Sequence, residues 1–246
     1  MLIHTNPQVL SFSSLDRFPN VICRVSTRMS GDLWMKKHPF KSALPILLPI
    51  RADTKDLILM EQTHSSVVNV VNRQSGGTQV PQVDGMVTSE SRLFLGVNTA
   101  DCVPLFFFDP IRNLIGVAHA GWRGTIGEIA TKMVNTLCEL GSKPKDILVA
   151  IGPHIGPCCY NVSEDRAKLF SQKYSIDSRV VLYSALDWFI DLGQANRVQL
   201  LQEGVLPEHI DAPIVCTCCQ NDIYFSYRKD TAKTFGEMLG IIGLLS

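Results

Sequence analysis

The middle of this 246-residue chain is a series of short apolar or alternating segments, each bounded by Gly, Pro, Asn or Asp. Segments of that length with those boundaries are typical of β-strands. They predict strands at 57–60, 67–71, 86–88, 93–99, 103–109 and 114–120. The turn-forming residues 109–113 separate the last two segments, so these two strands are predicted to form a hairpin.

Helical patterns follow this strand-rich region. Thr125 and Glu128 have the T-x-x-E spacing of a capping box, apolar residues then recur at helical spacing, and Gly141 stands where a helix would end, so the sequence predicts one helix between these residues. Further helices are predicted at 163–173, 192–203 and 231–239, and further strands at 147–151 and 214–216. Early strands and late helices predict an α+β fold, a mixed β-sheet core with flanking helices. The length favours a single domain over residues 1–246, although two tightly joined halves would also fit.

Composition narrows the classes of function. Lys plus Arg equals Asp plus Glu at 23 each, so nothing indicates broad electrostatic attraction to nucleic acid or to an anionic membrane surface. The apolar runs are too short for a transmembrane helix, and the N-terminus lacks the basic and apolar regions of a signal peptide. We therefore expect a cytoplasmic protein with reduced cysteines that acts on a small molecule, with neither nucleic acid nor membrane as a partner.

Three candidate metal ligands fall at predicted strand ends: His64, Cys102 and His119. Two imidazoles and one thiolate suit tetrahedral Zn²⁺, and three protein ligands leave one position for water or substrate. Asp101, beside Cys102, could orient a histidine or accept a proton. The same residue types also suit a cysteine nucleophile with a histidine base, and sequence spacing does not separate the two arrangements.

Two further segments carry groups that could bind a ligand. Residues 121–124 lead into the predicted helix, where backbone N–H groups and Arg123 could bind an anion; alternatively, Trp122 is a core residue and Arg123 a surface cation. Residues 225–230 include Tyr227 and Arg228, which could stack on a flat ligand and hold its polar groups, or could be an aromatic strand end.

Five other cysteines lie late in the chain: Cys158, Cys159, Cys216, Cys218 and Cys219. Neighbouring side chains in a strand point to opposite faces, so one ion shared by Cys158 and Cys159 is not favoured. A second, structural zinc is conceivable, but free cysteines are commonly plain core residues, and that is the favoured interpretation.

Six blocks of sequence together suggest a family. They are QTH at 62–64, VDG at 83–85, TADCVP at 99–104, AHAGWRG at 118–124, GPHIGPCCY at 152–160 and FSYR at 225–228. In that order they resemble the purine nucleoside phosphorylase family formerly called multicopper polyphenol oxidases, or laccase-domain proteins. The chain departs from the family pattern at Ser30, where relatives usually have glycine, and at Glu237, where they tend to have arginine.

The resemblance implies a zinc ion held by His64, Cys102 and His119. It implies phosphorolysis of adenosine, guanosine, inosine and methylthioadenosine, and deamination of adenosine, in a fold similar to the catalytic domain of cytotoxic necrotizing factor toxins. Taken with the chemistry of the residues, it gives an expected site with Cys102, Asp101 and Arg123 as catalytic residues. The expected partners are a purine nucleoside and phosphate, and the residues expected to bind substrate are Arg28, Tyr227 and Arg228.

Other functions remain open at this stage. Some members of the family are described as peptidoglycan editing factors, which implies an amidase acting on a cell-wall precursor. Copper-dependent phenol oxidation is reported for relatives, but a multicopper oxidase needs many more histidines than the six in this chain. A non-catalytic binding protein with a structural zinc is a further possibility, from a different class.

Overall fold

The structure is a computed structural model that describes residues 2–6, 8–33, 40 and 43–245. In these residues the strands are β1 (Leu2–Asn6), β2 (Val9–Phe12), β3 (Val21–Ser26), β4 (Leu57–Met60), β5 (Val68–Val70), β6 (Gln79–Val80), β7 (Gly85–Thr88), β8 (Phe94–Thr99), β9 (Val103–Asp109), β10 (Leu114–Ala120), β11 (Leu148–Ile151), β12 (Asn161–Val162), β13 (Val181–Ser184), β14 (Asp187–Ile190), β15 (Ile210–Asp211) and β16 (Met238–Leu244).

The α-helices are α1 (Ser13–Asp16), α2 (Leu44–Leu47), α3 (Trp122–Ile126), α4 (Ile129–Glu139), α5 (Glu164–Lys173) and α6 (Leu192–Gln202). Single 3₁₀ turns lie at Arg28–Ser30, Leu48–Ile50, Thr54–Asp56, Arg73–Ser75, Pro144–Asp146 and Pro207–His209. Across the described ranges, every helix is too short or too polar to cross a lipid bilayer.

The strands form three sheets in the described part of the chain. The first has the order β1-β2-β3-β16-β8-β4-β6, the second β15-β11-β9-β10-β7-β5, and the third β12-β14-β13. The first two sheets are mixed, because β4 pairs in parallel with β6 and β8, and β5 with β7, while most other neighbours are antiparallel. The predicted α+β class with a mixed sheet is therefore confirmed.

The core is layered because the second sheet is buried on both of its faces. Successive side chains of a strand point to opposite faces, which is visible along β9. Leu105 and Phe107 pack in one cluster with apolar residues of α4 and α6, whereas Phe106 and Phe108 pack in another with residues of the first sheet. Residues of α2 cover the other face of the first sheet. The candidate site lies at the strand ends of this stack.

The strand predictions in the middle of the chain are confirmed with small shifts of boundary, and the hairpin pairs β9 with β10 as expected. The helices predicted at 163–173 and 192–203 are α5 and α6. Gly141, with φ +99°, follows α4 in the left-handed conformation expected for a glycine at that position.

The single helix predicted after Gly124 is wrong at its start, because it is two helices. Glu128 has φ 65° and immediately precedes α4, so the helical conformation is broken at this residue, and its side chain makes no capping hydrogen bond. Thr125 is fully buried within α3, where its Oγ1 accepts a hydrogen bond from Asn196 at 3.0 Å. The Thr125 hydroxyl therefore bonds to α6 and does not cap a helix.

The predictions for the end of the chain are also wrong. Residues predicted as a helix at 231–239 form a hydrogen-bonded turn at Thr231–Thr234 and then enter β16, whose place between β3 and β8 overrides the helical pattern. The strand predicted at 214–216 is reduced to one bridge, between His154 and Cys216.

Candidate metal centre and substrate cavity

The fold brings His64, Cys102 and His119 together although they are far apart in sequence. Antiparallel pairing of β9 and β10 sets His119 opposite Pro104, and Cys102 immediately precedes β9. His64 lies in the loop that follows β4. One ligand atom from each side chain lies within 4.8 Å of the others, and Cys102 Sγ is 3.9 Å from His64 Nε2. The arrangement could hold a metal ion.

Asp84 orients this group from beneath. It is fully buried, and its Oδ1 lies 2.8 Å from His119 Nδ1. Its two oxygens also accept hydrogen bonds from the backbone N–H groups of Thr63, His64 and Ser65, at 3.1, 3.1 and 2.7 Å. Since Nδ1 of His119 is used by Asp84, the ring presents Nε2 to the site, which is the usual arrangement of a metal-binding histidine.

The charges of the three side chains reinforce each other. Burial would raise the pKa of the Cys102 thiol, but the charge and hydrogen bonds of His119 and His64 lower that pKa to about 6. Burial would also favour neutral His119, but Cys102 and Asp84 raise its pKa to about 10. Cys102 is thus a thiolate at neutral pH, the form that binds a metal or acts as a nucleophile.

Backbone conformation at the site is unusual at two residues. His64 has φ 60° and Asp101 has φ 84°, and residues other than glycine adopt this left-handed region at a cost of about 1–3 kcal/mol. Asp101 is held there by its carboxylate, which accepts hydrogen bonds from Thr217 Oγ1 at 2.6 Å and from the backbone N–H of Arg228 at 2.7 Å. The surrounding structure therefore stabilises the turn that presents Cys102.

Gly121 is required by close approach. A Cβ atom at this position would lie 2.8 Å from His64 Cδ2 and 3.1 Å from Cys102 Sγ. Both distances are tighter than ordinary carbon contacts, so any larger residue would displace two of the three candidate ligands.

The candidate ligands lie on the wall of an open cavity of about 860 Å³. Its lining combines cationic, aromatic and acidic side chains. These are Arg123, Arg166 and Arg228; Trp122, Tyr160, Tyr227 and Phe235; and Glu61, Asp101 and Glu237. A cavity of this size with aromatic walls and a few charged groups suits a small organic ligand that bears an anionic group.

The arginines are held against aromatic rings. The guanidinium carbons of Arg123 and Arg166 lie 4.5 and 4.3 Å from the ring centroid of Trp122, within the range of cation–π interactions. Trp122 also packs against the core cluster below it, so it is both a core residue and part of the cavity wall. Arg123 lies in α3, which has only five residues, whereas the sequence predicted one long helix after Gly124.

Tyr227 and Arg228 reach the cavity, as their sequence position suggested. Tyr227 is 76% exposed, and its ring meets that of Phe235 edge-on with centroids 5.8 Å apart. They lie in a turn, not at the end of an aromatic strand. The guanidinium of Arg228 donates hydrogen bonds to the carbonyl oxygens of Cys159 and Asn161, both at 3.2 Å.

Arg28 is not brought to the cavity with the other predicted site residues. It donates to the carbonyl oxygens of Asn221, Thr234 and Tyr224 at 2.8, 3.1 and 3.2 Å, and pairs with the Asp230 carboxylate at 2.7 Å. Its guanidinium thus ties together the segments around 221–234, which include the turn bearing Tyr227.

Asp101 also differs from one of its predicted roles. It lines the cavity beside Cys102, but the carboxylate that orients a histidine is Asp84, and Asp101 is bonded instead to Thr217 and Arg228. The sequence did carry a signal for Asp84, since an aspartate beside an apolar strand must find hydrogen-bond partners if it is buried. Arg166 was missed because one arginine on a polar helix has no distinguishing pattern.

The chain is similar in sequence to a described family and to several named proteins. The family described as multi-copper polyphenol oxidoreductase laccase matches residues 46–245. The chain is 41% identical over 204 residues to purine nucleoside phosphorylase YlmD of Geobacillus stearothermophilus, covering 76% of this chain and 71% of the relative. It is 32% identical over 204 residues to adenosine deaminase RL5 of an unknown prokaryotic organism, covering 78% of each.

A solved structure shows the same fold over nearly the whole chain. The crystal structure of the hypothetical protein YfiH of Bacillus licheniformis superposes with a TM-score of 0.89 and 28% sequence identity, covering 99% of this chain and 98% of that one. The fold and the His–Cys group together define a protein of the laccase-domain class. The chain belongs to the multi-copper polyphenol oxidoreductase laccase family, as the sequence blocks suggested, and its relatives include proteins named as enzymes.

Proposed function

We propose that this protein is a zinc-dependent enzyme of purine nucleosides, which splits adenosine, inosine, guanosine and methylthioadenosine with phosphate and also deaminates adenosine. One observation carries the proposal. The His64, Cys102 and His119 side chains converge on the wall of a cavity that also contains arginines and aromatic rings. The relatives named purine nucleoside phosphorylase and adenosine deaminase support the same class of substrate.

The donor set fits zinc. Two imidazole nitrogens and one thiolate match its preferred ligands, and Asp84 fixes the ring of His119 so that Nε2 is available. A bound zinc with three protein ligands supplies Lewis-acid polarisation at its fourth position. Multicopper chemistry would need more histidine ligands, and in the described ranges only two groups of three or more His, Cys, Asp or Glu side chains lie close enough to share an ion, of which only this one contains histidine.

The arginines of the cavity would bind phosphate. Arg123 and Arg166 are fixed over Trp122, so their guanidinium groups are oriented before the ligand arrives. In phosphorolysis a phosphate oxygen forms a bond to the anomeric carbon of ribose, and the bond from that carbon to the purine nitrogen breaks. The products are ribose 1-phosphate and the free base, which takes up a proton.

The aromatic residues would hold the purine. Tyr227 is largely exposed towards the cavity beside Phe235, so a flat base can stack on it. In deamination, water adds to the amino-bearing ring carbon, and ammonia leaves to give inosine. Asp101, a residue of the cavity lining directly before Cys102, would move the proton.

Product analysis with and without phosphate tests the proposal. Zinc-loaded protein should convert adenosine into adenine and ribose 1-phosphate when phosphate is present, and into inosine without it. Cys102→Ala should abolish both reactions, whereas Cys138→Ala, a thiol on α4 outside the cavity lining, should retain them.

Two results would contradict the proposal. One is full turnover by Cys102→Ala, because this result would show that neither reaction needs the Cys102 thiol. The other is hydrolysis of a serine-bearing peptidoglycan precursor by a protein that leaves all four nucleosides unchanged, which would assign the same cavity to an amidase.

The single-domain organisation over residues 1–246 and the similarity to cytotoxic necrotizing factor toxins stay predictions.

A further inference from the structure

A second group of side chains lies outside the His–Cys centre. The thiols of Cys158, Cys159, Cys216 and Cys219 each place Sγ within 4.8 Å of the other three. Cys219 Sγ is 3.5 Å from Cys158 Sγ and 3.4 Å from Cys159 Sγ. All four are free thiols, and Cys158 and Cys219 are exposed, so an ion in solution can reach them.

The backbone explains why neighbouring cysteines can converge here. The sequence argument against a shared ion assumed a strand, but residues 156–160 form a turn in which the N–H groups of Cys159 and Tyr160 both bond to the Gly156 carbonyl at 3.0 Å. In a turn, adjacent side chains need not point to opposite faces, because the alternation belongs to extended backbone only. The expectation that the side chains of Cys158 and Cys159 point to opposite faces is therefore wrong.

The other two thiols come from a second turn. Cys216 and Cys219 have C-x-x-C spacing, which is typical of zinc ligands. The carbonyl of Cys216 accepts the N–H of Gln220 at 3.0 Å, so the chain folds back on itself and both thiols face the first turn. The Gly156 N–H donates to Cys216 Sγ at 3.2 Å, a bond that stabilises sulfur in its thiolate form.

We propose that Cys158, Cys159, Cys216 and Cys219 bind a second zinc ion as a closed, structural Cys₄ site. A zinc–sulfur bond of about 2.3 Å requires tetrahedral sulfurs about 3.8 Å apart. The observed separations of 3.4 and 3.5 Å and the limit of 4.8 Å bracket that value, so small side-chain rotations complete the tetrahedron. Binding replaces the thiol protons, which pass to solvent, and involves no oxidation.

The ion would fix the two turns that support the substrate cavity. Between the ligands of the second turn lies Thr217, whose hydroxyl bonds to Asp101 at 2.6 Å. At the first turn, the carbonyl of Cys159 accepts a hydrogen bond from Arg228, and the next residue, Tyr160, lines the cavity. Residues 159 and 216 are separated by a long segment of chain, so a metal bridge between them would remove much conformational freedom. The second ion is thus a positioning element and not a catalytic one.

Metal counting on the whole chain tests this inference. Protein purified with reductant and zinc should contain two zinc ions per chain, and Cys219→Ser should contain one. Cys218→Ser is the matched control, because it alters a thiol of the same turn that is not part of the four-thiol group, and it should keep both ions. Cys219→Ser should also raise the KM for adenosine more than it lowers kcat.

Cobalt substitution separates this site from the His–Cys centre and does not depend on the folding of Cys219→Ser. Cys102→Ser disrupts only the first centre, so it should retain one cobalt ion with the intense sulfur-to-metal absorption of four thiolates. Cys102→Ser without any bound metal would overturn the inference. Two further results would overturn it. One is a disulfide between two of these cysteines in protein kept under reductant, detected as a mass lower by two hydrogens, and the other is a site that binds copper and excludes zinc.

Discussion

Asp84→Asn is the most informative change to the candidate metal centre. The side chain keeps its shape, but one oxygen becomes an NH₂ group. Oδ1 accepts from His64 and His119, and Oδ2 accepts from Thr63 and Ser65, so either orientation sets the NH₂ against at least two donors. Each hydrogen bond to a charged group contributes about 1.5–3 kcal/mol, so the loss of two should lower the free energy of unfolding by about 3–6 kcal/mol.

The same change should weaken metal binding, because His119 loses the carboxylate that orients it. Replacing such a supporting group usually costs about 10- to 100-fold in metal affinity, or about 1.4–2.8 kcal/mol. Competition with a chromophoric chelator measures the affinity, and urea unfolding of the metal-free protein measures stability. Asp109→Asn is the control, since this buried carboxylate lies at the opposite end of β9, accepts hydrogen bonds from the N–H groups of Ile111 and Arg112, and its loss should leave metal affinity unchanged. Equal metal affinity in Asp84→Asn and the unaltered protein would refute the role of Asp84.

Three further predictions follow from the same geometry. Gly121→Ala should lower zinc content and activity together, because its Cβ would lie 2.8 Å from His64; full zinc occupancy would show that the site can expand. In metal-free protein, alkylation of Cys102 should have its midpoint near pH 6, with reactivity lost as the pH falls below that value; a midpoint near that of an ordinary thiol, about 8.5, would contradict the lowered pKa. Tyr227→Ala should raise the KM for adenosine at least about fivefold, from the loss of about 1–3 kcal/mol of stacking, while the exposed Tyr183→Ala should not.

The sequence was most informative where local pattern and tertiary structure agree. The strands around Cys102 and His119 alternate or are continuously apolar and end in turn residues, so both their positions and the hairpin could be predicted. The helix after Gly124 was predicted as one piece because its apolar spacing continues through the break. The break depends on the positive φ of Glu128, and a glutamate in the sequence does not indicate that conformation.

The site was only partly predictable for a related reason. Ligand chemistry and the sequence blocks pointed to His64, Cys102 and His119. Asp84, whose carboxylate orients the His119 ring, lies in one of those blocks immediately before β7, but its role follows only from its distance to that ring. The four-thiol group shows the opposite error, since its cysteines were visible and the wrong backbone was assumed for residues 158–159. Side-chain direction follows backbone conformation, so a misassigned turn reverses the conclusion.

Anomalous diffraction at the zinc absorption edge, on crystals of the zinc-loaded protein, tests the central claim most directly. A zinc peak is predicted within bonding distance of His64 Nε2, Cys102 Sγ and His119 Nε2, with a non-protein ligand in the remaining position facing the cavity. Full activity towards adenosine in protein whose crystals lack any metal at these three side chains would contradict a zinc-dependent nucleoside enzyme.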